Sequence, residues 1–187
     1  MKKIFSKNII KCPIVLIGMM GVGKTSVGKL LAEKLLLPFY DSDDVIENKL
    51  GLGIKEIFKK NGEGYFRKKE VELFETLIEK KPSIIASGGG SFINKKIHEN
   101  IKEKCISIWL KASAQTLIKR LKNSESRPLL DVNDPRGVIL SLLSEREGLY
   151  SKADIIIDVD GLNETLVVQN ILQYLESYLI INENEKI

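Results

Sequence analysis

Residues 18–25 read Gly-Met-Met-Gly-Val-Gly-Lys-Thr and fit the pattern GxxxxGK[ST] at every fixed position. In such a loop the glycines let backbone N–H groups approach phosphate oxygens, and the following helix adds the positive end of its dipole. Lys24 can bridge terminal phosphates, and Thr25 can offer a hydroxyl to Mg²⁺. An ordinary strand-to-helix turn would not need Lys-Thr at its end. The loop therefore predicts binding of a nucleoside triphosphate, most simply ATP.

Three carboxylates follow a short aromatic strand in the segment 39–44, Phe-Tyr-Asp-Ser-Asp-Asp. Two carboxylates beside a triphosphate have distinct tasks, since one can hold Mg²⁺ or its waters and the other can accept a proton from an attacking hydroxyl. Helix capping is the alternative role for Ser42 and Asp44. For Asp41 and Asp43, capping alone is a less complete explanation of why a carboxylate stands at each position. The residues alone leave open which aspartate does which task.

A second glycine run, Gly88-Gly89-Gly90, follows the apolar segment 83–87. At the carboxyl end of a strand it exposes N–H groups to a ligand, and a loose turn is the alternative. Arg67 lies three residues before Glu70 on one helix face, so a surface ion pair is the alternative to substrate binding there. Arginine is scarce, with 5 arginines against 24 lysines, and its planar fork suits carboxylate and phosphate.

The elements that must position these residues are short apolar segments alternating with amphipathic ones. The apolar segments predict strands over 13–18, 39–40, 83–87, 105–110 and 154–159. The amphipathic ones predict helices over 24–37, 42–50, 54–60, 64–79, 95–103, 113–122, 134–149 and 162–179. This alternation predicts an α/β three-layer sandwich with a five-stranded parallel sheet, in which ligands bind at the carboxyl ends of the strands. The polar, helix-breaking segment 123–135 has the composition of a closing lid.

Length and composition favour a single domain over 1–187, with a basic N-terminal extension over 1–12 and a disordered tail over 181–187. The net charge is +4, but the lysines are scattered, so we expect a solvated surface and no nucleic-acid partner. Two distant cysteines and one histidine exclude a Cys/His metal centre and indicate a reducing compartment. The first apolar run is too short for a signal peptide or membrane span, so we expect a cytoplasmic protein. We also expect it to be a monomer.

Seven motifs in order resemble the shikimate kinases, a family of nucleoside-monophosphate-kinase-like P-loop enzymes, across residues 13–175. They are GMMGVGKTSVGKLLA (18–32), FYDSDDVIE (39–47), IKEIF (54–58), GEGYFRKKE (62–70), GGG (88–90), RPLL (127–130) and ER..LY..AD (145–154). Many kinases share the first motif, whereas DSD, FR..E and GGG together are far more discriminating. The resemblance implies transfer of the γ-phosphoryl group of ATP to the 3-hydroxyl of shikimate, a step of chorismate and aromatic amino acid biosynthesis.

The resemblance also implies roles for individual residues. Asp41 is similar to the group near Mg²⁺, and Asp43 to the group that engages the shikimate hydroxyls and accepts the proton. Arg127 resembles a lid arginine that moves onto the transferring phosphate, and Arg120 matches a position that stacks on adenine. The implied catalytic residues are Lys24, Asp43 and Arg127. The implied nucleotide-binding residues are Gly21, Val22, Gly23, Lys24, Thr25, Ser26, Arg120 and Arg127. The implied metal ligands are Thr25 and Asp41.

For shikimate, the resemblance implies a binding segment over 42–71 and contacts from residues on several elements. These residues are Asp43, Phe58, Arg67, Gly88, Gly89, Gly90 and Arg146. Ser87 stands where family members commonly have threonine, and the hydroxyl is kept.

Two other function classes remain as alternatives. A gluconate-type or nucleoside-monophosphate kinase shares the phosphate loop and lid, but it does not explain DSD, FR..E and GGG together. An ATP-binding regulatory module without catalysis predicts a missing catalytic residue, yet every one of the implied residues is present.

Overall fold

The computed structural model describes residues 10–79, 81–121 and 134–184. Within these ranges five strands form one parallel sheet in the order β2-β3-β1-β4-β5. The strands are β1 (Ile14–Ile17), β2 (Phe39–Asp41), β3 (Ile84–Ala86), β4 (Ile106–Lys111) and β5 (Ile155–Asp158). Strands β1 and β3 are buried along their whole length, as apolar strands covered on both faces should be.

Helices connect the strands and cover both faces of the sheet, which confirms the predicted fold class. They are α1 (Lys24–Leu35), α2 (Ser42–Leu50), α3 (Ile54–Asn61), α4 (Glu63–Ile78), α5 (Lys95–Lys104), α6 (Ala114–Leu121), α7 (Pro135–Tyr150) and α8 (Glu164–Asn184). A short 3₁₀ helix spans Ser91–Ile93. None of the helices in the described ranges is long and apolar enough to cross a membrane.

The two chain ends differ from the sequence predictions. Helix α8 continues to Asn184, where the sequence predicts a disordered tail from residue 181. Leu175 on α8 is fully buried and Leu179 packs against the core. Adding residues to a helix that is already docked costs little free energy, because each further residue adds a hydrogen bond. Ile10 is also buried in the core, although it falls within the predicted extension 1–12.

Close packing between α1 and β2 sets the edge of the sheet where the motifs meet. A Cβ atom on Gly28 of α1 would come within 2.5 Å of the Phe39 ring, so only glycine lets the helix lie this close to the strand. Helix α1 begins at the phosphate loop, and β2 ends at Asp41. The contact therefore holds the start of α1 beside the aspartate segment.

His98 on α5 gives a testable pH dependence, because it is the only histidine in the chain. Its ring lies edge-on to Phe92 with centroids 4.5 Å apart, and burial, helped by Lys152 and Lys102, lowers its pKa below the ordinary 6.5. The unfolded chain therefore binds more protons just below that value. The contribution of His98 to the free energy of unfolding is therefore complete at pH values above its pKa in the unfolded chain. It is lost as pH falls through its pKa in the folded chain.

We expect the melting temperature to fall less steeply in His98→Gln than in the natural chain when pH is lowered from about 7 to about 5. Thermal unfolding followed by circular dichroism at several pH values measures this slope. Identical slopes in the two proteins would show that His98 does not titrate on unfolding.

Candidate active site

The carboxyl ends of β1, β2 and β3 open into a cavity of about 770 Å³, which residues of helices α3, α4 and α7 also line. Most of the sequence-predicted site residues meet there. Those lining the cavity are Gly21, Gly23, Lys24, Thr25, Ser26, Asp41, Asp43, Phe58, Arg67, Gly88, Gly89, Gly90 and Arg146.

Three predicted residues are not among those lining the cavity. Val22 has its side chain in the core, and its carbonyl accepts a 2.7 Å hydrogen bond from Arg120 Nη1. Arg120 thus braces the phosphate loop from α6. Arg127 lies outside the described residues, as does the predicted lid as far as residue 133.

The phosphate loop has a backbone that only glycine adopts easily. Gly21 and Gly23 have φ values of +78° and +104°, in the left-handed region. Gly23 caps α1 without a side-chain hydrogen bond, so the cap leaves the first N–H groups of the helix to a ligand. The buried Lys24 Nζ donates to the carbonyls of Gly18 at 2.8 Å and Met19 at 2.9 Å. The ammonium group therefore lies against its own loop.

Asp41 links the phosphate loop to α2. Its Oδ2 accepts a 2.6 Å hydrogen bond from the Thr25 hydroxyl, and its Oδ1 accepts the N–H of Asp43 at 3.1 Å. Asp41 is thus the N-cap of α2, and the alternative of capping by Ser42 or Asp44 is wrong. Burial, followed by the charges of Asp41 and Glu47, raises the pKa of Asp44.

Gly88 lies where two carboxylates converge. A Cβ atom at Gly88 would come within 2.6 Å of Asp43 Oδ1 and 2.9 Å of Glu70 Oε1. The buried Ser42 hydroxyl accepts the Gly88 N–H at 2.8 Å, which ties the glycine run to α2. The run is therefore held in place, and the alternative of a loose turn is wrong.

Glu70 is a buried anchor that sequence reasoning missed. Its side chain is 0% exposed, and it accepts hydrogen bonds from Ser91 Oγ at 2.6 Å and Arg67 Nη1 at 3.0 Å. A surface ion pair is therefore the wrong description. The signal was present in the sequence, because Glu70 lies in the buried apolar stripe of α4, four residues after Phe66 and three before Leu73.

Arg67 is held by carboxylates on both sides along α4. Its guanidinium also donates to Glu63 Oε1 at 2.8 Å. Burial lowers the pKa of Arg67, but the charges and hydrogen bonds of Glu70 and Glu63 outweigh this and raise it. A Cβ atom at Gly90 would lie 2.8 Å from Arg67 Nη2, so the third glycine makes room for the guanidinium.

Arg146 brings a second guanidinium to the same end of the cavity. It is 7% exposed, and its Nη1 donates to the Gly89 carbonyl at 2.8 Å. Its buried Nε has no hydrogen-bond partner within the described part of the chain. A buried donor without a partner is costly, and a bound carboxylate would satisfy it. Phe58, packed edge-on against Phe66 with centroids 5.2 Å apart, gives this end an apolar wall.

The cavity therefore has two chemically different ends. Lys24, Thr25 and the start of α1 form an end suited to a triphosphate. Arg67 and Arg146 form an end suited to a small acid. Asp43 lies beside Gly88, in position to engage a hydroxyl group. This arrangement can transfer a phosphoryl group between the two ligands.

Comparisons with known proteins agree with this chemistry. The shikimate kinase family model matches residues 20–176. A shikimate kinase of Bradyrhizobium diazoefficiens is 40% identical over 166 residues, which cover 89% of this chain and 80% of the relative. A shikimate kinase from Acinetobacter baumannii, solved in complex with shikimate, has a TM-score of 0.87 and 36% identity over 89% of this chain and 94% of that one.

A gluconokinase from Sinorhizobium meliloti is a more distant structural neighbour. It has a TM-score of 0.59 and 19% identity, and the match covers 95% of this chain and 97% of that one. At this identity the likeness extends to the fold alone.

Proposed function

The chain belongs to the shikimate kinase family, and on this premise we propose how its residues divide the transfer of the γ-phosphoryl group from ATP to the 3-hydroxyl of shikimate. The products are shikimate 3-phosphate and ADP. The observation that carries the proposal is the position of Asp43, whose carboxylate would be 2.6 Å from a Cβ atom at Gly88. It lies in the same cavity as the phosphate loop and the two arginines.

At the acid end, Arg67 and Arg146 bind the carboxylate of shikimate, and Phe58 packs against its ring. Forked, permanently charged donors are the groups best matched to a carboxylate. Asp43 then accepts the hydrogen bond of the 3-hydroxyl and takes its proton as the oxygen attacks. The bond from that oxygen to the γ-phosphorus forms while the bond to the β,γ-bridging oxygen breaks, and ADP leaves.

At the nucleotide end, Lys24 exchanges its carbonyl partners on Gly18 and Met19 for phosphate oxygens. The backbone N–H groups of Gly21, Gly23 and Ser26 surround the same phosphates. Arg120 remains proposed for adenine stacking, and Arg127 for the charge of the transferring group. Lys24 and Arg127 would offset the negative charge that spreads over the γ-phosphoryl group in the transition state.

Thr25 and Asp41 are the residues that would hold Mg²⁺. Their side-chain oxygens are 2.6 Å apart at the cavity wall, and oxygen is the ligand that Mg²⁺ prefers. Mg²⁺ keeps several waters and needs only one or two protein groups beside the phosphates, so this small donor set fits. When bound, Mg²⁺ neutralises negative charge on the phosphates.

An ADP-release assay with different acceptors tests the proposed function. We expect ADP release with shikimate, and none above background with gluconate or with nucleoside monophosphates. Turnover confined to one of the latter would contradict the proposal. ATP binding without turnover of any acceptor would favour a regulatory module.

Arg67→Ala tests the acid end. We expect the KM for shikimate to rise about 10- to 100-fold with little change in the KM for ATP, since a charge-assisted hydrogen bond contributes about 1.5–3 kcal/mol. Steady-state kinetics with each substrate varied in turn measures the two constants. Lys69→Ala is the control, because Lys69 is also a cation on α4 and pairs with Glu72 at 2.7 Å. Equal losses for ATP and shikimate in Arg67→Ala would contradict the assignment.

We also propose that the enzyme works as a monomer in the cytoplasm, without a nucleic-acid partner. Its lysines are scattered along the chain and form no basic run. Cys12 and Cys105 form no disulfide, and burial raises the pKa of Cys105 to about 12. Cysteines that form no disulfide suit a reducing compartment. Analytical ultracentrifugation at several protein concentrations tests the monomeric state. A mass that stays at 21.1 kDa is expected, and a mass that rises with concentration would contradict it.

A further inference from the structure

Tyr150, the last residue of α7, has a buried hydroxyl that the proposed reaction does not use. The side chain is 1% exposed, and its OH donates a 2.6 Å hydrogen bond to the carbonyl of Gly89. Arg146 Nη1 donates to the same oxygen at 2.8 Å. Two donors from one helix therefore fix a single carbonyl in the middle of the glycine run.

This double hydrogen bond fixes the direction of a whole peptide group. In a trans peptide the C=O and the following N–H point in opposite directions. With the Gly89 carbonyl held toward α7, the N–H of Gly90 is turned away from α7. Gly90 borders the Arg67 guanidinium, so the orientation of this peptide bears directly on the acid end of the cavity.

Glycine would not hold this orientation by itself. Three successive glycines have unusual backbone freedom, and the run is fixed by contacts from outside. The Gly88 N–H is bound by Ser42, and the Gly89 carbonyl by α7. Gly89 also lies close to the phosphate loop, since a Cβ atom there would be 3.3 Å from the Met20 backbone nitrogen. A rotation of the Gly89 carbonyl would therefore disturb the contact between the acid end and the phosphate end.

The shared carbonyl also positions Arg146. The guanidinium is tethered through Nη1, which leaves the buried Nε without a partner within the described residues. Without the Tyr150 hydroxyl, Arg146 would be the single donor among the described residues that holds the Gly89 carbonyl, and peptide and guanidinium could shift together. The Tyr150 ring packs against Trp109 and Phe92, with centroids 5.8 Å and 6.3 Å away, so the ring itself is held independently of the hydroxyl.

We infer that Tyr150 is a positioning residue for shikimate, an inference that rests on the function proposed above. Its hydroxyl acts through the Gly89 carbonyl, and it keeps both the glycine run and Arg146 in the arrangement that receives the carboxylate of the substrate.

The test is Tyr150→Phe, which removes the hydroxyl and keeps the packed ring. We expect the KM for shikimate to rise roughly five- to tenfold, the value of one buried hydrogen bond. The KM for ATP should change less than about twofold, and kcat should change less than the KM for shikimate. Tyr178→Phe is the matched control, because the Tyr178 hydroxyl bonds Asp154 at 3.2 Å beside the amino end of β5, away from the cavity.

Two further measurements separate positioning from simple destabilisation. Trp109 is the only tryptophan in the chain and touches Tyr150, so its fluorescence can report shikimate affinity without turnover. The second measurement is a double-mutant cycle that combines Tyr150→Phe with Arg146→Lys. The fold-loss of shikimate affinity in the double variant should be smaller than the product of the fold-losses in the two single variants, because both side chains act on one carbonyl.

An unchanged shikimate KM in Tyr150→Phe would overturn the inference, as would losses that multiply independently in the cycle. Equal increases in both KM values together with a lower melting temperature would also overturn it, since they would indicate a structural role. The natural chain in the same assay checks the proposed function separately. If the natural chain turns over shikimate and Tyr150→Phe has the same shikimate KM, the proposed function stands and only the positioning role of Tyr150 fails.

Discussion

We expect Asp43→Asn to lower kcat with shikimate by about 10²- to 10⁴-fold, the usual value of a general base, while the affinity for ATP stays within about threefold. Asparagine keeps the shape of aspartate but cannot take a proton at neutral pH. The backbone N–H of residue 43 can still donate to Asp41, so the start of α2 should stay intact. Steady-state kinetics and an equilibrium titration with an ATP analogue measure the two effects.

Asp41→Asn is the matched control, because it makes the same chemical change two residues earlier. Asp41 bonds Thr25 and caps α2, so its substitution should raise the Mg²⁺ concentration needed for half-maximal rate. In Asp43→Asn that concentration should stay unchanged. Should Asp43→Asn instead lose ATP affinity or Mg²⁺ dependence, the division of work between the two aspartates would be wrong.

Lys24→Met should lower kcat by about 10²- to 10³-fold, because a preorganised cation that meets developing charge stabilises the transition state by several kcal/mol. Methionine keeps much of the apolar stem and removes the ammonium group. Lys29→Met is the control, since Lys29 is an exposed lysine on the same helix that lines the same cavity. A comparable loss of kcat in both variants would show that any positive charge near the cavity has this effect, and it would contradict a specific role for Lys24.

The melting temperature of Lys24→Met separates catalysis from folding. The ammonium group bonds the carbonyls of Gly18 and Met19, so some stability should be lost with it. If the variant unfolds at the assay temperature, the rate must be measured at a lower one. A full rate in folded Lys24→Met would contradict the assignment.

The fold could be predicted from the sequence because its signals are local. Helix α2 spans the predicted 42–50, and each predicted strand overlaps the one observed. The sequence left capping by Ser42 or Asp44 open as an alternative, whereas the structure has Asp41 as the cap of α2, because β2 extends one residue further than predicted, to Asp41. That extra residue brings the Asp41 carboxylate to Thr25 and to the end of the helix.

The buried polar contacts could not be predicted, because they join residues that are distant along the chain. Glu70 meets Ser91 across 21 positions, and Tyr150 meets Gly89 across 61. A helical pattern shows that Glu70 lies among apolar residues, but it does not show what satisfies the carboxylate. Only the packing of α4 and α7 on the glycine run supplies those partners.

The scarce arginines can now be placed with more detail. Arg67 and Arg146 line the cavity, and Arg120 braces the phosphate loop through Val22. Arg127 stays a prediction. Arg136 is exposed on α7, and no contact with the residues that the structure describes gives it a role.

Phosphorus and proton NMR of the product made from ATP and shikimate is the most direct measurement of the reaction. We predict one phosphate ester, with the phosphorus coupled to the proton on carbon 3 of shikimate, and one ADP formed for each ester. An ester on another hydroxyl would contradict the placement of the 3-hydroxyl at Asp43. Release of ADP and free phosphate without an ester would contradict phosphoryl transfer to shikimate altogether.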